Sequence, residues 1–194
     1  MQIKSITVFC GSSMGLQPIF KTVANALGQH LATNGIQLVY GGAKVGLMGE
    51  LANGAIQSGG KVIGVLPQFL SSVEIAHKGL SELILVDSMH ERKAKMAALS
   101  DGFIALPGGF GTLEELFEIL TWGQLGLHKK PIGILNVGGF YDALMTLLDT
   151  MVANGLLKKA NRNMLLVADS VDVLLSQMAT YQAPTEDKWL ASAT

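Results

Sequence analysis

Short apolar runs alternate with helical periodicity from one end of this chain to the other. The runs Ile3–Phe9, Ile36–Tyr40, Lys61–Leu66, Leu83–Val86, Phe103–Leu106, Pro131–Leu135 and Met164–Val167 read as strands. Between them lie helix patterns. One is opened by Pro18, carries Ile19, Val23, Leu27 and Leu31 on one side and stops at Gly35. Others cover roughly 49–58, 89–100, the stretch from Leu113, 141–153 and 171–180. Strands apolar on both faces need cover on both sides, and strands joined through helices run parallel. The expectation is therefore an α/β fold, a doubly wound parallel sheet in a single domain. It spans residues 1–182, with 183–194 as a loose C-terminal tail. There is no linker, low-complexity block or internal repeat to divide it.

Composition narrows the function classes. With 194 residues the chain can bury a substantial core, and only 15% of it is charged, which argues against disorder. The formal net charge is −1 and no Lys/Arg run occurs, so a nucleic-acid partner is disfavoured, whereas a small phosphorylated ligand needs only a few local donors. Cys10 is the one cysteine, which excludes an intrachain disulfide and a cysteine-based zinc cluster and fits a cytoplasmic protein. At the end of an apolar strand it reads as a buried, inert thiol. Met1–Ser5 runs directly into a strand without the apolar region of a signal peptide, and no run approaches the roughly 20 residues of a membrane span.

The glycines are not scattered. Gly11-Ser12-Ser13 follows the first strand. Gly41-Gly42-Ala43 follows the second, with Gly46 and Gly49 beyond. Pro107-Gly108-Gly109 follows the fifth, and Gly138-Gly139 the sixth. All fall beyond carboxyl ends of strands, where open α/β sheets bind ligands. Neither G-x-G-x-x-G nor G-x-x-x-x-G-K-[ST] occurs, so nothing calls for NAD or ATP.

The richest of these turns is Pro107-Gly108-Gly109-Phe110-Gly111-Thr112-Leu113-Glu114-Glu115. It sits between a buried strand and a helix whose inner face is Leu113, Leu116, Phe117 and Leu120. Free N–H groups at a helix start bind anions, and glycine lets the backbone approach them. The turn brings a hydroxyl and two carboxylates to the same place. This predicts a phosphate-bearing substrate with an acid group near its reacting carbon. An alternative reading is a capping box, Thr112 with Glu115, leaving Glu115 solvated on the face opposite the leucines.

A second constellation is Ser88-Met89-His90-Glu91-Arg92-Lys93. Ser88 and Glu91 suit a helix cap, but Arg92 and Lys93 in its early turns oppose the helix dipole and point to a partner anion. Arg92 and Glu115 are one helix plus one strand apart. If the fourth and fifth strands are neighbours, both residues emerge at the same sheet edge and form an Arg–carboxylate pair. Glu74 and His77 lie in the loop after the third strand, without the second histidine of a zinc site; no metal is expected. His30 and His128 read as surface histidines.

The stretches VFCGSS (8–13), LVYGG (38–42), VGLMG (45–49), GGKVIGVLP (59–67), SMHERK (88–93), ALPGGFGTLEEL (105–116) and LTWGQLGLHKKPIG (120–133) resemble the LOG ("Lonely guy") family over about residues 3–175. Its members are cytokinin riboside 5′-monophosphate phosphoribohydrolases, often mislabelled lysine decarboxylases. The resemblance implies a Rossmann-like fold, no organic cofactor and a homodimer. It implies hydrolysis of the N-glycosidic bond of AMP or N6-substituted AMP to free base and ribose 5-phosphate. Arg92 and Glu115 take the catalytic positions. Gly108, Gly109, Phe110, Gly111 and Thr112 take the phosphate site, helped by Gly11, Ser12 and Ser13. Gly41, Gly42, Glu74, Met89, Lys93, Glu114 and Thr121 are further substrate-binding candidates. The chemistry agrees with the residues: a carboxylate stabilises the positive charge that develops on the ribose or activates water. Ala43 and Gly123 depart from the family pattern without touching Arg92 or Glu115. A general AMP nucleosidase and a non-catalytic nucleotide carrier are the alternative readings.

Overall fold

The computed structural model describes residues 2–71 and 76–184. Seven strands form one parallel sheet: β1 (Ser5–Phe9), β2 (Gln37–Tyr40), β3 (Val62–Pro67), β4 (Glu82–Val86), β5 (Gly102–Ala105), β6 (Ile132–Leu135) and β7 (Leu165–Ala168). Their order is β4-β3-β2-β1-β5-β6-β7. The chain winds outward from β1 in one direction, then returns and winds outward in the other. The reversal between β1 and β5 opens a crevice at their carboxyl ends.

The helices are α1 (Pro18–Thr33), α2 (Gly46–Gln57), α3 (Gln68–Ser71), α4 (Met89–Ala98), α5 (Phe110–Gln124), α6 (Asp142–Ala153), α7 (Lys159–Arg162) and α8 (Val171–Ala179), with a 3-10 turn over Val137–Gly139. Period-two alternation along β1 feeds two cores. Ile6, Val8 and Cys10 pack with α1, α2 and α8, while Phe9 joins α4, α5 and α6 on the other face. Thr7, between them, is fully buried; its hydroxyl donates to Met96 O at 3.1 Å and meets Ser100 Oγ at 2.6 Å, satisfying the polar group and pinning α4 to the sheet.

The seven strands and six longer helices follow the sequence expectation in order, with boundary shifts of one to three residues at most ends; α3, α7 and the 3-10 turn are additional short elements that carry no periodic signal. Shifts of three occur at α2, which begins at Gly46 rather than Gly49, and at α5, which begins at Phe110 rather than Leu113. Those glycines serve close approach rather than helix termination. A β-carbon on Gly46 would overlap the Ser12 carbonyl, and one on Gly49 the Lys44 carbonyl. Gly28 and Gly54 work the same way where α1 crosses α2, since a β-carbon on either would strike the other helix's backbone. The expected tail lies, apart from residues 183 and 184, outside the described residues. Among the described residues no helix is long and apolar enough to cross a membrane.

One expectation fails. β4 is an edge strand and β5 is central, with β3, β2 and β1 between them. Arg92 and Glu115 therefore do not meet by neighbouring strands. α4 instead crosses the face of the sheet on its way from β4 to β5, and this crossover carries its first turns over the carboxyl ends of the central strands.

Candidate active site

The turn after β1 and the turn after β5 are tied together: Gly11 N donates to Pro107 O at 3.1 Å, and Leu106 N to Phe9 O at 2.9 Å. Tyr141, buried at the start of α6, donates its hydroxyl to Leu106 O at 2.7 Å and holds the β5 turn from behind. Gly108 is fixed by space. A β-carbon there would overlap Thr112 Oγ1 and stand 3.0 Å from Gly11 N.

α5 starts at Phe110, with Gly109 as its N-cap. No side chain caps it and no acid lies in its first turn. The capping-box reading thus fails, because Thr112 and Glu115 are inside the helix and both are buried. The first-turn N–H groups have no intrahelical partner, which leaves the dipole's positive end facing the crevice.

Glu115 is 7% exposed, not solvated. Its Oε1 lies 3.5 Å from Arg92 Nη2, and both side chains are about nine-tenths buried. Arg92 is seated by Gly41, where a β-carbon would collide with Nη2, and by Met89, whose sulfur is 3.8 Å from Nη1. Arg92 Nε is buried without a hydrogen-bond partner among the described residues. Burial pushes the Glu115 carboxyl up to about 7; Arg92 pulls the other way and Glu114 adds to the rise. Cys10, beside them, is buried, and burial raises its thiol well above the ordinary range, as expected for an inert cysteine.

These groups line a cavity of about 260 Å³ that also reaches Ser12, Met48, Phe110 and Thr112. A second chamber of about 300 Å³ shares Gly11, Ser12 and Gly109 with it. Its side-chain walls are Met14, Phe20, Leu47 and Phe140, with the Phe20 and Phe140 rings edge to face at 5.7 Å. One half of the crevice is charged and the other apolar, with the two glycine turns between them.

Of the remaining sequence candidates, Ser13 lines the apolar chamber. Gly42 has φ +78° and packs toward Leu66 and Leu83, away from Arg92. Lys93 is paired with Glu114 and Glu118. Thr121 is two turns beyond Glu115, donates to Phe117 O at 2.7 Å and borders a separate cavity between α5, α6 and α7. Glu74 lies outside the described residues. Ser88 caps α4 as expected, accepting from Glu91 N at 3.1 Å. His128 is not a surface residue; it is half-buried against Phe103, with Nε2 3.0 Å from Ile119 O. Among the described residues no cluster of His, Cys, Asp and Glu could hold a metal ion. Met48, Glu118 and the apolar chamber were not anticipated. Phe20 and Phe140 meet across most of the chain, and no local pattern marks such a pair.

A family model described as "Possible lysine decarboxylase" matches residues 48–178. "Probable cytokinin riboside 5′-monophosphate phosphoribohydrolase LOGL1" of Oryza sativa subsp. japonica is 49% identical over 176 residues, 91% of this chain and 79% of its own. Cytokinin riboside 5′-monophosphate phosphoribohydrolase LOG5 of Arabidopsis thaliana is 43% identical over 192 residues, 99% of this chain and 84% of its own. The chain belongs to the LOG family. Among solved structures, the molybdenum cofactor binding protein of Rippkaea orientalis superposes with a TM-score of 0.70 at 25% identity, covering 92% of this LOG chain and 97% of its own. The molybdenum cofactor carrier protein of Chlamydomonas reinhardtii gives 0.68 at 23%, covering 93% and 100%, and shares the fold.

Proposed function

We propose that this LOG-family protein hydrolyses the N-glycosidic bond of purine nucleoside 5′-monophosphates, releasing free base and ribose 5-phosphate. The observation that carries the reading is the buried Arg92–Glu115 pair one helical turn below an uncapped, glycine-rich helix start. In this reading the phosphate sits on the first-turn N–H groups of α5, and its binding energy positions the ribose. The C1′–N bond breaks as water adds to C1′, and the base departs with a proton. Glu115, ionised, stabilises the positive charge on the ribose or takes the water's proton. Arg92 holds Glu115 and donates to ribose oxygens. Since Glu115 titrates near neutrality, it can act as a base at physiological pH.

The apolar chamber beside the glycine turn supports an N6-alkylated adenine as the preferred base, because its wall of Met14, Leu47 and two Phe rings matches an alkyl group and not a bare amine. A decarboxylase reading has no such support. A Schiff-base lysine must be able to lose its proton, and Lys93, beside the site, is held charged by Glu114 and Glu118, which outweigh the lowering effect of burial. We further propose a homodimer, which the family resemblance implies, in the cytoplasm, which the single cysteine fits.

The test is base release from AMP and from N6-isopentenyl-AMP by wild type and Glu115→Gln side by side. Release that collapses in the variant while nucleotide binding persists supports the reading. Saturable binding with no release by the wild type refutes it in favour of a carrier.

A further inference from the structure

Lys93, in the second turn of α4, is bonded to two carboxylates of α5 that are not alike. Its side chain is only 6% exposed, and its Nζ donates to Glu114 Oε1 and, at 3.1 Å, to Glu118 Oε1. Glu114 is half exposed and lines the charged half of the crevice. Glu118, one turn further along α5, is mostly buried and lies behind that lining. Burial works against a charge on Lys93, but its bonds to the two acids keep its pKa above the ordinary lysine range. An ammonium has three N–H donors. Two go to these acids, and among the described residues the third has no partner. The group thus stands charged beside the crevice, next to Glu114, with a donor to spare.

We infer that Glu118 is a positioning residue: it anchors the Lys93 ammonium at the crevice, so that Lys93 donates to a substrate oxygen there. That the ligand is a nucleotide rests on the phosphoribohydrolase reading; the anchor rests on the geometry. Glu114 does not suffice for this task. A half-exposed carboxylate is screened by water, and it faces the same ligand that draws the ammonium. Glu118 is held in place by burial instead. Its placement is costly in every other respect. Glu114 and Glu118 stand at i and i+4, where like charges on a helix repel unless a cation lies between them. Glu118 Oε2 is buried without a hydrogen-bond partner among the described residues. A third carboxylate near a phosphate site also has the wrong sign for attracting an anion. As an anchor for Lys93 the same carboxylate promotes binding. The charge effect and the anchoring effect therefore act in opposite directions, and one substitution separates them.

The test is calorimetric titration of the full chain with ribose 5-phosphate, which carries the phosphate and the ribose oxygens and has no glycosidic bond to lose. Alongside, kcat and KM for AMP are measured. Glu118→Gln keeps the shape and the helix propensity and removes the charge. Loss of the anchor raises Kd for ribose 5-phosphate and KM for AMP about tenfold, while kcat falls less than threefold. A Glu118 that acts only through its charge gives tighter binding in the same variant; that result, or an unchanged Kd, overturns the inference. Glu118→Asp keeps the charge and withdraws the carboxylate by one methylene. It weakens binding about as much as Glu118→Gln if position matters and matches the wild type if charge alone matters, so the inference stays refutable should Glu118→Gln not fold. Lys93→Met weakens binding by the same order, and adding Glu118→Gln to it weakens binding no further. Additive losses would mean that Glu118 acts by another route, and would overturn the inference as well. A wild type that binds ribose 5-phosphate but releases no base from AMP refutes the hydrolase reading alone, because the titration needs no turnover. A wild type that binds neither ribose 5-phosphate nor AMP refutes both.

Discussion

Glu115 should make this protein less stable as the pH rises, and replacing it should remove that loss. Burial holds the folded carboxyl at about 7, against 4.5 for the same group in the unfolded chain. Between those values unfolding releases a proton, so stability falls with rising pH; above about pH 7 the full cost is present. Two and a half pH units correspond to about 3 kcal/mol. The group is 7% exposed, so solvent screening takes little from this figure. Below about pH 4.5 Glu115 is protonated in both states and costs nothing.

Glu115→Gln keeps the shape and removes the titration. It also takes a partner from Arg92, which costs stability by a nearly constant amount across the range. The informative quantity is therefore the difference in unfolding free energy between wild type and variant, followed by urea melts at 25 °C and one fixed protein concentration from pH 4.5 to 8.5. The variant should gain about 3 kcal/mol on the wild type over that interval, with most of the change between pH 5 and 7. A difference that stays flat within about 0.5 kcal/mol would mean that Arg92 fully offsets burial and that Glu115 is an ordinary ion-paired carboxylate. A trend of opposite sign would mean that its folded pKa is depressed, and the proposed base would then be ionised far below neutrality.

The same carboxyl sets the pH–rate profile: kcat/KM for AMP should climb through about pH 7, and Arg92→Met, by removing the charge that opposes burial, should move that limb alkaline while cutting turnover roughly a hundredfold or more. Arg92→Lys should not restore the rate, because an ammonium cannot reproduce the fork of donors. Gly108→Ala should abolish turnover by forcing Thr112 and Gly11 apart, a loss readable in base release with the far-UV circular dichroism unchanged. Phe140→Ser, at the wall of the apolar chamber, should lower kcat/KM for N6-isopentenyl-AMP at least tenfold relative to AMP; an unchanged ratio would place the base elsewhere. Tyr141→Phe should cost about 1 kcal/mol in urea melts through the lost bond to Leu106 O.

Much of the fold was legible because its signals are local. Pro18, Gly35 and the leucine spacing bound α1 without reference to anything else, and apolar runs such as Phe103–Leu106 can be buried only in a covered parallel sheet. The placement of the glycine turns at one edge follows from the same alternation. What could not be read is whatever depends on which strands adjoin. Gly28 looks like a costly choice in the middle of a helix until α2 is seen to pass within backbone contact of it. His128 looks solvated until Phe103 comes to rest against its ring.

The Arg92–Glu115 contact does not depend on β4 and β5 being neighbours. Adjacent strands would bring the two residues together, yet β4 and β5 stand at opposite ends of a five-strand span and the residues still meet. What makes the pairing robust is a constraint shared by both topologies. Each residue sits in the opening turns of a helix that leaves the carboxyl edge, so each must lie near that edge whichever strand precedes it. The sheet order decides only how far a helix must reach, and α4 closes the gap by crossing the central strands, where Thr7 accommodates it with a buried hydroxyl aimed at Met96 O. A helical wheel of α5 alone puts Glu115 opposite the leucines and hence in water; in the fold the buried face of α5 is Thr112, Glu115, Leu116 and Ile119, while Leu113, Phe117 and Leu120 are only half-buried, and Arg92 from α4 meets Glu115 there. The raised carboxyl follows from its place on that buried face, and α4, through Arg92, opposes the rise without cancelling it.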